Sequence, residues 1–126
     1  MTSTSSSVRS RITHLSPKEF AKLSNPPLLI DVRSGWEYST GHAPTAVNLS
    51  LPRLLGGTIP MFRRWLLPQW FLDLPKDRAI AVICLTSHRS PIAANALVKT
   101  GFSKVFNITG GMMEWQRLGL ETRTGK

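Results

Sequence analysis

Cysteine is scarce in this chain of 126 residues, which has a single cysteine, Cys84. One thiol forms no disulfide within the chain, so nothing in the composition points to an oxidising compartment. A single thiol also excludes a paired-cysteine redox centre and a zinc site built from several cysteines. If Cys84 reacts, another molecule must resolve the product, because the chain holds no second thiol.

Long apolar runs are also absent. No run approaches the roughly 20 apolar residues that a membrane-spanning helix needs. The serine-rich segment Met1–Ser7 is polar and lacks the apolar stretch of a secretory signal. Together with the lone thiol, these features predict a cytoplasmic protein.

Acidic residues are few, with 7 acids against 16 lysines and arginines and a net charge of +9. Such an excess favours anionic partners. The cations are scattered, however, and form no basic helix or aromatic RNA-binding motif. We therefore expect a small anionic substrate, with an acidic partner protein as a further candidate, and no nucleic acid.

The length suits a single domain with one buried core. We predict a flexible N-terminal segment at 1–10, one domain at 11–121 and a C-terminal tail at 122–126. Strands alternate with helices along the domain, which indicates an α/β fold with a mainly parallel sheet. The apolar runs predict strands at 28–32, 46–48, 79–83 and 104–108.

Serine–proline pairs mark two predicted helix starts, Ser16–Pro17 and Ser90–Pro91. In each pair the serine is placed to cap the helix, and proline suits the first helical position. Two further helices are expected at 36–40 and after Gly110–Gly111. The helix after Ser90 is predicted to bury a stripe of Ile92, Ala93, Ala96 and Leu97.

Cys84 follows the most continuous apolar run, 79–83, and a helix is predicted to begin shortly after it. In open parallel sheets, ligands bind beyond the carboxyl ends of the strands, where Cys84 would lie. Backbone N–H groups of the intervening turn, with the helix N-terminus, would favour a thiolate and a bound anion. The segment predicts a nucleophilic thiolate in an anion-binding loop, against the alternative of an inert buried thiol.

The loop after Cys84 carries two candidate cations. Arg89 has a fork of donors, which would either hold an oxyanion or stabilise the loop. His88 would add positive charge or point to solvent. The sequence leaves both choices open.

Three groups of residues, in this order and spacing, resemble the rhodanese homology domain family over roughly residues 12–120. The groups are Asp31-Val32-Arg33 with Glu37-Tyr38, Gly41-His42-Ala43 and Ala46-Val47-Asn48, then Cys84 to Arg89 with Ser90, and then Val105 to Ile108 with Gly110-Gly111 and Trp115. Each group is moderately specific, and their order makes the resemblance strong.

The resemblance implies a sheet of about five parallel strands with helices on both faces. It implies a sulfurtransferase in which Cys84 takes the outer sulfur of a donor such as thiosulfate and becomes a persulfide. An external thiol or cyanide then accepts this sulfur, and no metal or organic cofactor is expected. Asp31 and Arg33 would be supporting residues at a nearby strand end. The substrate-binding loop would consist of Leu85, Thr86, Ser87, His88, Arg89 and Ser90.

Two alternatives stay open: a module of the same fold that binds a partner or carries sulfur without catalysis, and a phosphatase or arsenate reductase. Leu85 stands where family loops often have a polar or basic residue. Ser87 stands where glycine is frequent, and it would strain the turn if that position needs a positive φ. Four residues separate Cys84 from Arg89, fewer than in the related phosphatases and arsenate reductases, which favours sulfur over phosphate.

The proline-rich stretch 51–75 predicts a loop with one or two short helices. Its part 54–72 is longer than a minimal domain of this family needs. A packed surface helix is the simplest interpretation, a docking patch or rim of the active site the second, and a membrane contact through 60–72 the third. The basic and aromatic side chains concerned are Arg63, Arg64, Trp65 and Trp70.

Overall fold

The computed structural model describes residues 11–126, so the predicted flexible segment at 1–10 lies outside the described residues. The strands are β1 (Ile12–Leu15), β2 (Leu28–Asp31), β3 (Val47–Asn48), β4 (Ile80–Ile83) and β5 (Val105–Ile108). They form one sheet in the order β1-β5-β4-β2-β3, and every neighbouring pair is parallel. The predicted α/β class with a five-stranded parallel sheet is confirmed.

Short helices connect the strands throughout the described part of the chain. The helices are α1 (Pro17–Ala21), α2 (Gly35–Thr40), α3 (Leu51–Gly56), α4 (Arg63–Leu66), α5 (Gln69–Leu72), α6 (Ser90–Lys99) and α7 (Gly111–Arg117), with a 3₁₀ turn at Pro60–Phe62. Among the helices of residues 11–126, none combines the length and apolar character needed to cross a membrane.

Both faces of the sheet are covered, because alternate residues of a strand point to opposite sides. On one side, Val82 of β4 packs in a cluster with Leu97 of α6. On the other side, Ala81 and Ile83 pack in a second cluster with Trp115 of α7. All four residues of β4 are buried, as predicted for a central strand covered by helices.

The start of α1 follows the predicted capping pattern. The Ser16 hydroxyl accepts a hydrogen bond from the Glu19 amide at 3.0 Å, and the Glu19 carboxylate accepts one from the Ser16 amide at 2.8 Å. This reciprocal pair satisfies two backbone donors that the first helical turn leaves open. The same arrangement begins α2, where Ser34 is the cap and Glu37 is the acid.

The predicted cap of α6 is wrong. Arg89 is the N-cap, without a side-chain capping bond, and Ser90 is the first helical residue. Ser90 is fully buried because its hydroxyl points towards Cys84 and the sheet. The predicted buried stripe is also wrong at Ile92, which is 49% exposed, while its other members are buried.

Two further elements differ from the sequence-based prediction. β1 was not predicted, because its two middle residues, Thr13 and His14, are polar and exposed, and its strand form comes from pairing with β5. The stretch 51–75 holds three helices and a 3₁₀ turn where one or two helices were expected. Prolines lie at the first turn or cap of several of these elements, since proline suits a helix start and breaks a helix interior.

The segment predicted as a C-terminal tail contacts the domain. His42 and Arg123 exchange backbone hydrogen bonds of 2.8 and 2.9 Å, and the Gly125 amide donates to the Ser39 carbonyl at 2.8 Å. These bonds fasten residues 123–125 along the end of α2 and the turn that follows it.

Candidate active site

Cys84 directly follows strand β4 and lies at the carboxyl edge of the sheet, between the ends of β2 and β5. The residue is 1% exposed, and the loop 85–89 folds over it before α6 begins at Ser90. The lone thiol therefore lies at the point where open parallel sheets bind ligands.

The loop turns its backbone amides towards the Cys84 sulfur. The Ser87 amide donates to Sγ at 3.0 Å. Burial is the largest single influence and raises the pKa of the Cys84 thiol, but the Ser90 hydroxyl and the amides of Ser90, Arg89 and Thr86 together lower that pKa below its ordinary value. The surroundings therefore favour the thiolate although the sulfur is buried.

Ser87 adopts the backbone conformation that brings its amide onto the sulfur. Its φ of +69° makes it the one non-glycine residue with a positive φ in the described range. The expected strain is therefore present, at a cost of roughly 1–2 kcal/mol. The Ser87 hydroxyl donates to the Ile108 carbonyl at 3.1 Å, which ties the strained residue to the end of β5.

The first turn of α7 binds the start of the same loop. The Met112 amide donates to the Cys84 carbonyl at 2.7 Å, and the Met113 amide donates to the Leu85 carbonyl at 3.0 Å. A Cβ on Gly111 would lie 2.4 Å from the Cys84 carbonyl oxygen, so only glycine permits this approach. Gly111, in the glycine pair that the sequence predicted as a turn, thus permits the close approach through which α7 fixes the backbone of Cys84.

Arg89 stabilises the loop, the second of the two roles considered for it. Its Nη1 and Nη2 atoms donate to the two carboxylate oxygens of Glu37 at 2.8 and 2.9 Å. These bonds, more than any other influence, lower the pKa of Glu37 to about 2. The forked pair joins the active loop to the first turn of α2.

The remaining loop side chains lie at the rim. His88 is exposed, and its Nδ1 atom lies 2.8 Å from the Thr86 hydroxyl. Leu85 is 36% exposed. These residues surround the approach to the sulfur and do not contact it with their side chains.

Asp31 and Arg33 lie at the end of β2, beside the loop, and both are buried. Arg33 donates to the Asp31 carboxylate through its amide, Nε and Nη2, and Nη2 also donates to the Gly41 carbonyl at 2.7 Å. The pair fixes the turn between β2 and α2. It thereby helps to position the first turn of α2, where Glu37 binds Arg89.

Sequence reasoning missed two residues that bear on the site. Glu37 was seen only as part of a motif, although it pairs with Arg89. Asn107 of β5 is 2% exposed and accepts a hydrogen bond from Ser90. Its only sequence signal is a polar side chain inside a strand that is otherwise mostly apolar.

The 54–72 segment forms a separate surface. A cleft of about 830 Å³ is lined there by side chains that include Arg53, Arg63, Arg64 and Trp65, and by no residue of the loop 84–90. Trp65 and Met61 are 82% and 81% exposed. This surface lies outside the sulfur site.

Comparisons with known proteins agree with this geometry. The family model described as Rhodanese-like domain matches residues 16–118. A sulfurtransferase of Allochromatium vinosum is 33% identical over 93 residues, which are 74% of this chain and 75% of that protein. The adenylyltransferase and sulfurtransferase uba4 of Ogataea parapolymorpha is 31% identical over 91 residues, which are 72% of this chain and only 20% of that protein.

A solved structure is similar over nearly the whole chain. The solution structure of a polysulfide-sulfur transferase homodimer from Wolinella succinogenes has a TM-score of 0.66 and 27% identity, and the match covers 96% of this chain and 85% of that chain. The predicted family is confirmed by the family model and by this likeness. The chain belongs to the rhodanese-like domain family and is related to its sulfurtransferases.

Proposed function

We propose that this domain transfers sulfane sulfur from an anionic donor, such as thiosulfate or a polysulfide, through a persulfide on Cys84. The observation that carries the proposal is the convergence of the loop amides on a lone thiol whose pKa is lowered. A cytoplasmic location suits this chemistry, because a reducing compartment keeps the thiol available.

The first step would be attack of the Cys84 thiolate on the outer sulfur of the donor. With thiosulfate, a bond forms between Sγ and that sulfur, the donor's sulfur–sulfur bond breaks, and sulfite leaves with the bonding pair. The negative charge then lies on the outer sulfur of the persulfide. Amides fixed around the site stabilise this charge without reorganising.

The second step would return the enzyme to its thiolate form. An acceptor, cyanide or a thiolate, attacks the outer sulfur, and the pair of the broken bond returns to Cys84. With cyanide the product is thiocyanate. Because the chain has one cysteine, the acceptor must come from outside the chain.

Mass spectrometry of the intact protein tests this proposal. After exposure to thiosulfate or polysulfide, Cys84 should gain the mass of one sulfur atom and lose it again on addition of cyanide. The Cys84→Ser variant should gain nothing, and its sulfur transfer should fall by roughly a thousandfold or more. A wild-type protein that gains no sulfur from thiosulfate, polysulfide, mercaptopyruvate or a cysteine desulfurase would refute the proposal.

A sulfur-carrier module loaded by another protein is the second candidate. Arg89, the only arginine or lysine in the loop 84–90, is paired with Glu37, so the loop offers little free positive charge to an anionic small molecule. The surface at 59–70, which is part of the 54–72 surface, would suit an acidic donor protein, because Arg63, Arg64 and Trp65 line one cleft in which Asp73 is the one acid among the described residues.

A charge reversal separates the two candidates. In the double variant Arg63→Glu, Arg64→Glu, loading of Cys84 by a cysteine desulfurase persulfide should slow if a protein is the donor, while loading by thiosulfate should be unchanged. Equal loading by the desulfurase in wild type and variant would remove the docking role of this surface.

A further inference from the structure

A cleft with aromatic walls lies between α2, the end of β3 and α5. Its volume is about 610 Å³, which suits a small organic molecule. Trp36 of α2 is 76% exposed and Trp70 of α5 is 37% exposed, so both indoles present apolar surface there. Among the described residues, Lys126 is the single charged residue of its lining, and no lining residue is shared with the arginine-lined cleft at 53–73.

The sheet register places this aromatic cleft on the same edge of the sheet as Cys84. Asp31 of β2 is opposite Ile83 of β4 and also opposite Asn48 of β3, so the three residues form one row across the sheet. Cys84 directly follows Ile83, and Asn48 lines the cleft. Because neighbouring strands lie about 4.8 Å apart, the cleft begins about 10 Å from the start of the sulfur loop.

Helix α2 connects the aromatic cleft with the sulfur loop. Trp36 lines the cleft, and the next residue, Glu37, accepts hydrogen bonds of 2.8 and 2.9 Å from Arg89 of the loop. A ligand that lies against Trp36 and extends along the first turn of α2 would therefore reach the loop 84–90.

Two of the side chains that line the cleft are fixed in place. Tyr38 stacks on His42 with ring centroids 3.7 Å apart, and its hydroxyl donates to the Ala46 carbonyl. Nδ2 of Asn48 donates to two backbone carbonyls at the end of β2, at 2.9 and 3.0 Å. A site that is formed in advance loses less free energy to ordering when a ligand binds.

The sulfur loop offers little to a charged acceptor. Arg89 is paired with Glu37, and Leu85 at the rim is apolar and 36% exposed. The acceptor of the proposed reaction must nevertheless come from outside, because Cys84 is the only thiol of the chain. Apolar surface close to the loop is therefore the feature from which an acceptor can gain affinity.

We infer that the cleft between Trp36 and Trp70 binds the apolar body of the sulfur acceptor, an organic thiol that reaches the Cys84 persulfide across the edge of the sheet. The inference deepens the proposed function, on which it rests, by naming the class of acceptor and two residues that select it. Neither tryptophan takes part in the chemical step.

The thiolate of the bound acceptor attacks the outer sulfur of the persulfide. A sulfur–sulfur bond forms to the acceptor, the bond between the outer sulfur and Sγ breaks, and its electron pair returns to Cys84 as the thiolate. The acceptor leaves as an organic persulfide, and no oxidant or reductant is consumed. Lys126 is a cation, so it does not repel an acceptor that reacts as an anion.

Discharge of the preformed Cys84 persulfide by two thiols tests the inference. In 4-phenylbutane-1-thiol a phenyl ring is joined to the thiol by a four-carbon chain, whereas propane-1-thiol has the same kind of thiol without the ring. At low concentration, the phenyl thiol should discharge the wild-type persulfide about thirtyfold faster, which corresponds to about 2 kcal/mol from packing of the ring against the aromatic side chains.

Two variants and one competitor make the test specific. In the double variant Trp36→Ala, Trp70→Ala, the preference for the phenyl thiol should fall to about threefold or less. Trp65→Ala is the matched control, since it truncates an exposed tryptophan outside this cleft, and it should keep the full preference. The alcohol 4-phenylbutan-1-ol, which has the ring but no thiol, should compete with the phenyl thiol.

The preference is a ratio of two rates measured on the same protein, so partial unfolding of a variant does not alter it. Equal discharge by the two thiols in wild type would overturn the inference, even where Cys84 gains sulfur from polysulfide and loses it to cyanide. A preference that survives in the double variant would also overturn it, because the apolar contact would then lie elsewhere, for example at Leu85. Failure of wild type to gain sulfur would instead refute the proposed function, and it is detected before either thiol is added.

Discussion

The loop at 84–90 and the surface at 59–70 use their side chains in opposite ways. In the loop, Cys84 and Ser90 are buried, and Arg89 is tied to an acid 52 positions away. At 59–70, Trp65 and Met61 are more than four-fifths exposed, and the ion pairs among residues 11–126 involve no arginine from this surface. The side chains of the loop 84–90 are therefore fixed by many contacts, whereas the exposed side chains at 59–70 have few.

The contrast shows that the contacts that restrict side chains are concentrated in the loop 84–90 and not in the surface at 59–70. The backbone of the loop is held by residues that are distant in sequence. A small change there should therefore alter both the free energy of unfolding and the reactivity of Cys84. The exposed side chains of the 59–70 surface lie outside the core, although Leu67 beside them is buried in it, so truncating one of the exposed side chains should leave the fold and the sulfur site unchanged. The predictions below test this contrast.

Among the changes at the sulfur site, the largest loss of stability is expected for Gly111→Ala. The new Cβ would lie 2.4 Å from the Cys84 carbonyl oxygen and 2.5 Å from that of Leu85, at a φ of +59°. We expect a loss of about 3 kcal/mol in the free energy of unfolding, from overpacking and backbone strain together. Denaturant unfolding measures it, and slower alkylation of Cys84 should accompany it.

Gly119→Ala is the matched control for that variant. Gly119 has a φ of +72°, but nothing lies within 4 Å of the position of its Cβ. Gly119→Ala should therefore lower the free energy of unfolding only by the cost of the backbone strain, about 1 kcal/mol. Equal losses in the two variants would show that contact with the Cys84 backbone costs nothing.

Glu37→Gln should slow sulfur transfer by roughly tenfold, because small misplacements of reacting groups are costly. The change removes the charge that holds Arg89 and leaves the fold of α2 in place. Glu114→Gln, which breaks the exposed pair with Arg117, is the matched control and should leave transfer unchanged. If both variants transferred sulfur at the wild-type rate, the Arg89–Glu37 pair would have no part in shaping the loop.

The same pair predicts a pH dependence of stability. The Arg89 guanidinium, with the Ser34 amide and hydroxyl, lowers the pKa of Glu37 to about 2, below the value of about 4.3 in an unfolded chain. The carboxylate therefore stabilises the folded state fully above this unfolded value, and the contribution is lost as the pH falls towards 2. Unfolding free energies of wild type and Glu37→Gln should converge over that range, whereas a constant difference would contradict the assignment.

A smaller effect is expected at Ser87. Both Ser87→Ala and Ser87→Gly remove the hydroxyl bond to Ile108, but only glycine relieves the positive φ. The glycine variant should therefore be more stable than the alanine variant by about 1 kcal/mol. Paired unfolding curves measure the difference, and an alanine variant as stable as the glycine variant would mean that the loop relaxes away from the left-handed conformation.

Sequence patterns predicted the parts of the molecule that depend on local or continuous signals. The buried run of β4, the capping box at Ser16 and the turn at Gly110–Gly111 are of this kind. The apolar run 79–83 placed Cys84 at a strand end, where the structure has it. Each of these features depends on residues that are neighbours in the sequence, so a single sequence is enough to predict it.

The features that were missed depend on pairing across the fold. β1 takes its strand form from β5, and the link between Arg89 and Glu37 joins elements far apart in sequence. Ser90 resembles a helix cap in sequence, but its hydroxyl is drawn inwards by Asn107 and the sulfur. Local preference favoured the cap, and tertiary contacts decided otherwise.

The smallest effect is expected for Trp65→Ala, although it removes the largest type of side chain. Trp65 is 82% exposed, so its truncation should change the free energy of unfolding by less than about 0.5 kcal/mol and leave transfer from thiosulfate unchanged. Trp115→Ala is the reference, since Trp115 is 5% exposed and packs on Phe20, and burial of that kind contributes about 3–5 kcal/mol. A loss above about 1 kcal/mol in Trp65→Ala would mean that the Trp65 side chain packs against the fold, as the buried Leu67 in the same segment does, because exposed positions rarely cost that much.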